Sequence, residues 1–78
     1  MKLEIITPDK KLYDGNVKSA VFPGTEGSFG VLNDHSPFIS TLKAGTIHLT
    51  EDNNEKKEFV IKGGVAEIKH NTVIVLAD

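Results

Sequence analysis

Apolar side chains recur at every second position along much of this chain. Leu3 and Ile5 alternate with Lys2 and Glu4, and Ile47 and Leu49 flank His48. This period places one set of side chains on each face of a strand, with the apolar set turned inward. The same reading gives strands over residues 16–22, 46–50, 58–62 and 65–70. Residues 72–76 are rich in β-branched side chains and read as a strand buried on both faces. No window carries helical periodicity, and there is no internal repeat or linker. The predicted core is Leu3, Ile5, Val17, Val21, Leu32, Ile39, Ile47, Leu49, Val60, Val65, Ile68, Val73 and Val75.

Turn-forming pairs punctuate these runs. Asp14-Gly15, Glu26-Gly27, Asn33-Asp34, Ala44-Gly45, Gly63-Gly64 and His70-Asn71 are each predicted to reverse the chain. Residues 51–57, Glu-Asp-Asn-Asn-Glu-Lys-Lys, read as a long hairpin loop with frayed strand ends. Turn signals every 8–12 residues or so are the signature of an all-β sandwich or small barrel.

The 78 residues form one domain, 1–78, with a thin core and no cysteine to reinforce it. Nine basic residues stand against eleven acidic ones, for a net charge of −2. That balance, with no arginine cluster, excludes the basic face that a nucleic-acid binder needs. The start of the chain lacks the layout of a signal peptide. The apolar run Val73–Ala77 is too short to cross a bilayer, so no direct membrane insertion is expected.

Candidate chemistry is sparse. Asp34, His35 and Ser36 are the residue types of a hydrolytic triad, but consecutive residues on one turn do not let an imidazole face both partners. The simpler reading is a turn in which Asp34 accepts backbone N–H groups and Pro37 sets the next strand. His35, His48 and His70 lack the short spacing of a metal site. His48 lies opposite the apolar positions of its strand and is read as solvated. His35 can donate to a backbone carbonyl, and a histidine changes charge near neutral pH. Gly24, Gly27 and Gly30 follow a spacing of three, unlike a dinucleotide fingerprint, and no helix follows them. Gly24 and Gly30 are read as sites of close backbone approach or positive φ, while for Glu26, Gly27 and Ser28, at an exposed tip, a contact role carries similar weight.

Residues 22–42 carry the most specific pattern: Phe22-Pro-Gly-Thr-Glu-Gly-Ser-Phe-Gly-Val-Leu-Asn-Asp-His-Ser-Pro-Phe-Ile-Ser-Thr-Leu42. This run resembles the epsilon subunit of rotary ATP synthases. The likeness continues through Ile6-Thr7-Pro8, Leu12-Tyr13-Asp14-Gly15, Lys43-Ala44-Gly45, Phe59 to Gly64, and Val73-Ile74-Val75-Leu76-Ala77-Asp78. It covers essentially the whole chain in order.

The resemblance implies an all-β, flattened antiparallel β-sandwich of two sheets with about ten short strands. It implies a non-catalytic rotor subunit with no cofactor and no metal. Its partners would be the gamma subunit, the polar loops of the c-ring and, through gamma, the catalytic head. It would lie at the cytoplasmic face of a bacterial inner membrane. By position, Thr25, Glu26, Gly27 and Ser28 would face the c-ring, and Thr7, His35, Phe38 and Ser40 would face gamma, with Phe38 or Phe29 as an apolar anchor. Ser28 stands where the family often has a second acid, and Asn33-Asp34 replaces Pro-Gly. With no C-terminal helical pair in the sequence, no self-inhibition through such an arm and no ATP binding are expected. The sequence itself leaves open whether this is a natural short form. The alternative is a free-standing β-sandwich module for a peptide or glycan.

Overall fold

The computed structural model describes residues 1–78. Six strands form: β1 (Lys2–Ile6), β2 (Lys11–Gly24), β3 (Gly27–Leu32), β4 (Phe38–Glu51), β5 (Lys56–Lys69) and β6 (Thr72–Ala77), with no helix. Five of them close into a ring in the order β1-β6-β5-β4-β2 and back to β1, while β3 pairs with β2 alone. The β1–β6 pairing is parallel and every other pairing is antiparallel. The result is a closed five-stranded barrel with one added strand. It replaces the expected sandwich of about ten short strands, although the body is flattened, at 27 × 24 × 18 Å.

The strand count differs because three expected turns lie inside strands. Asp14 and Gly15 pair with Glu4 and Leu3 within the β1–β2 ladder. Ala44-Gly45 lies in the middle of β4, and Gly63-Gly64 in the middle of β5. Glycine in a long strand marks a bend or bulge as readily as a turn. Each of β2, β4 and β5 is 14 residues long; β2 changes partner along its length, while β4 and β5 stay paired with each other and gain β2 and β6 over part of theirs. β2 leaves β1 at Asn16 and joins β4 from Val17, with register shifts between Val17 and Ser19 and between Val21 and Gly24. In β5, Gly64 has φ 149° and pairs with Ala77. A side chain there would meet the Leu76 carbonyl and, at 2.9 Å, the Ala77 backbone.

Turns do form at 25–26, 33–34 and 70–71. The 51–57 tract is tighter than expected. The Glu51 amide donates to the Glu55 carbonyl at 2.7 Å, and Asn54, at φ 72°, donates to Glu51 at 2.9 Å. The strand ends there are not frayed, because pairing runs to Thr50↔Lys56.

The barrel interior holds Leu3, Ile5, Val17, Ile47, Leu49, Ile68, Val73 and Val75, as the alternation predicts. It also takes Phe22, Val31, Leu42, Ile61, Ala20, Ala66, Tyr13 and Ala77. Val21, Leu32, Ile39, Val60 and Val65, all expected inside, face out. All five stand beside another apolar residue in the chain, in Val21-Phe22, Val31-Leu32, Phe38-Ile39, Val60-Ile61 and Val65-Ala66. Where neighbours are both apolar the period-two signal does not choose a face, and a slip by one residue inverts the assignment. At Ile39 it is the neighbours Phe38 and Ser40 that turn inward, and both are half-buried. In β6, Leu76 is 57% exposed and Ile74 half-buried, so this strand is buried on one face only.

Candidate protein-docking site

The β2–β3 connection is a two-residue hairpin. Gly24 pairs with Gly27, leaving Thr25 and Glu26 at the tip, and Gly27 adopts φ 129°. Thr25, Glu26, Gly27 and Ser28 are all exposed. The tip rests against β4: the Thr25 amide donates to the Thr41 carbonyl at 3.1 Å, and the two hydroxyls lie 2.7 Å apart.

The 33–37 turn contains Asp34 at φ 64°. No backbone N–H bonds its carboxylate. Instead Asp34 faces His70 at 3.8 Å. His35 Nδ1 lies 3.0 Å from the Ser36 carbonyl, not from its hydroxyl. Asp34, His35 and Ser36 therefore form no relay. His48 is exposed and lies 2.8 Å from Glu58. No group of three His, Cys, Asp or Glu side chains is gathered closely enough to hold a metal ion.

The four residues expected to meet gamma are spread over three elements. Thr7 closes a turn: its hydroxyl donates to the Lys10 carbonyl at 2.9 Å and accepts from the Lys10 amide at 3.2 Å. His35 stands on the 33–37 turn, with its ring 5.1 Å from that of Phe38. Phe38 and Ser40 both turn toward the barrel interior at its β4 end, opposite Ile68 and Ala66. Phe38 continues into a run of rings, 5.5 Å from Phe29, which is 5.6 Å from the fully buried Phe22.

Between Thr7 and Ser40 lies an exposed apolar surface that includes Ile39 and Val65, two residues the alternation placed in the core. Its main row crosses four strands as Thr41–Val65–Leu76–Ile6. The adjoining outward row is Ile39–Glu67–Ile74–Glu4. Ile39 is 69% exposed and Val65 37%. A soluble surface rarely groups large apolar side chains this closely unless something covers them. The sequence signal for this face was present: Ile39, Val65 and Leu76 alternate with inward residues, but the apolar character of Ile39 and Val65 drew those two to the core.

The opposite wall is held by a different cluster. Tyr13 donates to Glu51 at 2.5 Å, and Lys57 lies 3.4 Å from the same carboxylate and 5.7 Å from the Tyr13 ring centre. Burial, then the bond to Glu51, pushes the Tyr13 phenol well above its ordinary value. The bond from Tyr13 in turn holds Glu51 below the usual carboxylate range. This cluster ties β2 to the β4–β5 hairpin and offers no free nucleophile or base.

Residues 1–78 match the model of the ATP synthase Delta/Epsilon chain, beta-sandwich domain. The chain belongs to this family. Among curated relatives of this delta/epsilon domain, it is 44% identical over 78 residues to the ATP synthase epsilon chain of Helicobacter pylori (strain ATCC 700392 / 26695), covering all of this chain and 63% of that one. It is 42% identical over 76 residues to the epsilon chain of Desulfatibacillum aliphaticivorans, covering 97% of this chain and 54% of that one. The domain thus spans less than two thirds of the length of these relatives. Its fold is shared by a chain of the Euglena gracilis mitochondrial ATP synthase (OSCP/F1/c-ring). The TM-score is 0.87 at 23% identity, over 96% of this chain and 48% of that one. A chain of the Tetrahymena thermophila central stalk/c-ring matches with TM-score 0.79 at 21% identity, over 99% and 62%.

Proposed function

We propose that this chain is a non-catalytic central-stalk subunit of a rotary ATP synthase. It bridges the gamma subunit and the c-ring and so couples ion-driven rotation to the catalytic head. It works peripherally, at the cytoplasmic face of a bacterial inner membrane. The observation that carries this reading is the family match over residues 1–78, with the epsilon chains as its named relatives. The exposed tip Thr25–Ser28 meets polar loops of the ring. Thr7, His35, Phe38 and Ser40 border the gamma contact, and Ile39, Val65 and Leu76 supply the apolar centre that such a contact needs. A coupling element must be stiff, and a closed ring of paired strands resists shear because no strand slides without breaking a ladder.

The test is co-purification from native membranes through a tag on this chain. Recovery of gamma, the catalytic head and the c-ring is the expected result, with loss when Ile39 and Leu76 are replaced by Asp. Recovery of the chain alone overturns the reading. One observation favours a second reading: β3 pairs only with β2 and leaves one backbone edge unpaired, where an extended peptide could add a strand. A peptide as sole partner in the same experiment supports that module. Glycan binding has less to work with, since the one tyrosine, Tyr13, is buried and there is no tryptophan.

A further inference from the structure

The outer strand of the β2–β3 hairpin has backbone support on one side only. β3 bonds to β2 alone, and past Val21 the β2–β4 ladder is broken by a register shift, with Gly24↔Leu42 as its last pair. A Cβ on Gly27 would meet nothing within 4 Å, so the tip is open on that side. A two-residue hairpin on a glycine-flanked stem is a poor candidate for transmitting force. Two sets of side-chain contacts change that. One is the Thr25–Thr41 pair, with a backbone bond at 3.1 Å and a hydroxyl bond at 2.7 Å. The other is the ring contact of Phe29 with Phe38, at 5.5 Å and edge to face. Both run from the hairpin to the first four residues of β4.

We propose that Thr25 and Thr41 are a positioning pair that, with the Phe29–Phe38 contact, clamps the tip to β4 and makes the tip and the outer apolar face one rigid body. The inference rests on the rotor reading, because it assigns the clamp a load between those two surfaces. Thr41 is the residue at which both meet. Its hydroxyl and carbonyl hold the tip, and its outward position begins the row that continues through Val65, Leu76 and Ile6. Both threonines are exposed, so the fold does not need their hydroxyls to satisfy buried polar groups. Their pairing fixes where the tip stands. Phe29 acts from the other side of the hairpin. Rings prefer edge-to-face packing at this separation, and the contact restrains rotation of β3 about β2. Removing either contact loosens the hairpin, and removing both leaves it hanging from β2.

The test uses Thr41→Val, which keeps the shape and the Thr41 carbonyl but deletes the hydroxyl, and Phe29→Leu, which keeps apolar bulk but deletes the ring. Amide exchange of Thr25 is followed by NMR in the free chain, with the Asp78 amide, bonded to the Gly63 carbonyl, as the control. Thr41→Val is expected to speed Thr25 exchange about fivefold, the scale set by one hydrogen bond. The double variant is expected to speed it further, with Asp78 unchanged. In the purified complex that carries the double variant with gamma and the c-ring, ions pumped per ATP hydrolysed are expected to fall. Unchanged Thr25 exchange overturns the clamp, as does an equal rise at Asp78. Faster Thr25 exchange with undiminished pumping overturns its role in transmitting force. Failure of the wild-type chain to assemble with gamma overturns the rotor reading instead, and the exchange result still decides whether the clamp exists.

Discussion

Replacing Ile61 and Val60 by alanine, one at a time, tests the strand register directly. These adjacent residues of β5 are both aliphatic and both in an unbroken ladder, Ile61 opposite Gly45 and Val60 opposite Thr46. Ile61 is 4% exposed and Val60 80%. Truncating a buried isoleucine removes its transfer free energy and leaves a cavity, together costing about 3 kcal/mol. Truncating an exposed valine removes only strand preference and partial contact, about 0.5–1 kcal/mol. A domain of this size holds about 4–12 kcal/mol in total, so Ile61→Ala consumes a large share. At roughly 4–8 °C per kcal/mol for a chain this short, Ile61→Ala lowers Tm by about 12–24 °C. Val60→Ala lowers it by about 2–8 °C on the same scale. Urea unfolding followed by circular dichroism gives both values, with matched m-values confirming two-state behaviour. Equal losses would refute the register, and a larger loss for Val60→Ala would show that β5 presents the other face to the core.

Gly64→Ala is expected to destabilise the domain by about 1–3 kcal/mol from backbone strain alone, since φ is 149° and Leu76 stands in the way. Gly30→Ala, whose nearest contacts lie 3.8 Å away, serves as the benign control, and equal melting shifts for the two count against a special role for Gly64. Stability should fall at both ends of the pH range. Glu51, held low chiefly by the Tyr13 bond, contributes stability above the unfolded carboxylate pKa of about 4.3 and loses it as pH falls through its lower folded value. Tyr13, held high by burial, contributes below about pH 10 and loses its contribution as pH rises beyond that toward its folded value. Tyr13→Phe should shrink the alkaline decline, leaving the part due to Lys11, which its bonds to Glu4 and Asp14 hold above the ordinary lysine value. An undiminished decline in melting experiments refutes the assignment. Leu76→Asp should leave Tm almost unchanged, because the side chain is mostly exposed, yet abolish co-purification of gamma. Retention of gamma removes this face from the interface.

The all-β class, the tip at 25–26 and the turns at 33–34 and 70–71 were legible because each rests on a local rule. What was not legible depends on distant partners. Asp14-Gly15 and Gly63-Gly64 look like turns because glycine permits reversal, but only the partner strand decides between reversal and bend. Gly64 bends because β6 runs beside it at Ala77. Ring closure through the parallel β1–β6 pair joins the two ends of the chain, and no local pattern encodes that contact. The proposed docking face was hidden for a related reason. Val65 and Ala66 are both apolar, and the smaller one is buried because it packs in the layer of Ser40 and Val75. The tip residues were located by likeness to a family. Their tie to Thr41 was not foreseen, since 16 residues separate Thr25 from it in the chain.

The long strands explain how so small a domain can present two surfaces and still be stiff. β4 shows this most clearly. Its first residues carry Ile39 on the outer face and Thr41 under the tip, and its middle crosses to the opposite wall, where Ile47 and Leu49 enter the core. Its last residue, Glu51, is held by Tyr13 from β2 and Lys57 from β5. A force applied at the tip therefore passes along one continuous strand to a fixed point across the barrel. Ten short strands joined by true turns would interrupt that path at every loop, and loops are the softest links in a fold. Bending a strand at glycine keeps the backbone ladder continuous where a loop would break it. That is why the glycines that mislead a local reading are the ones on which the proposed mechanical role depends.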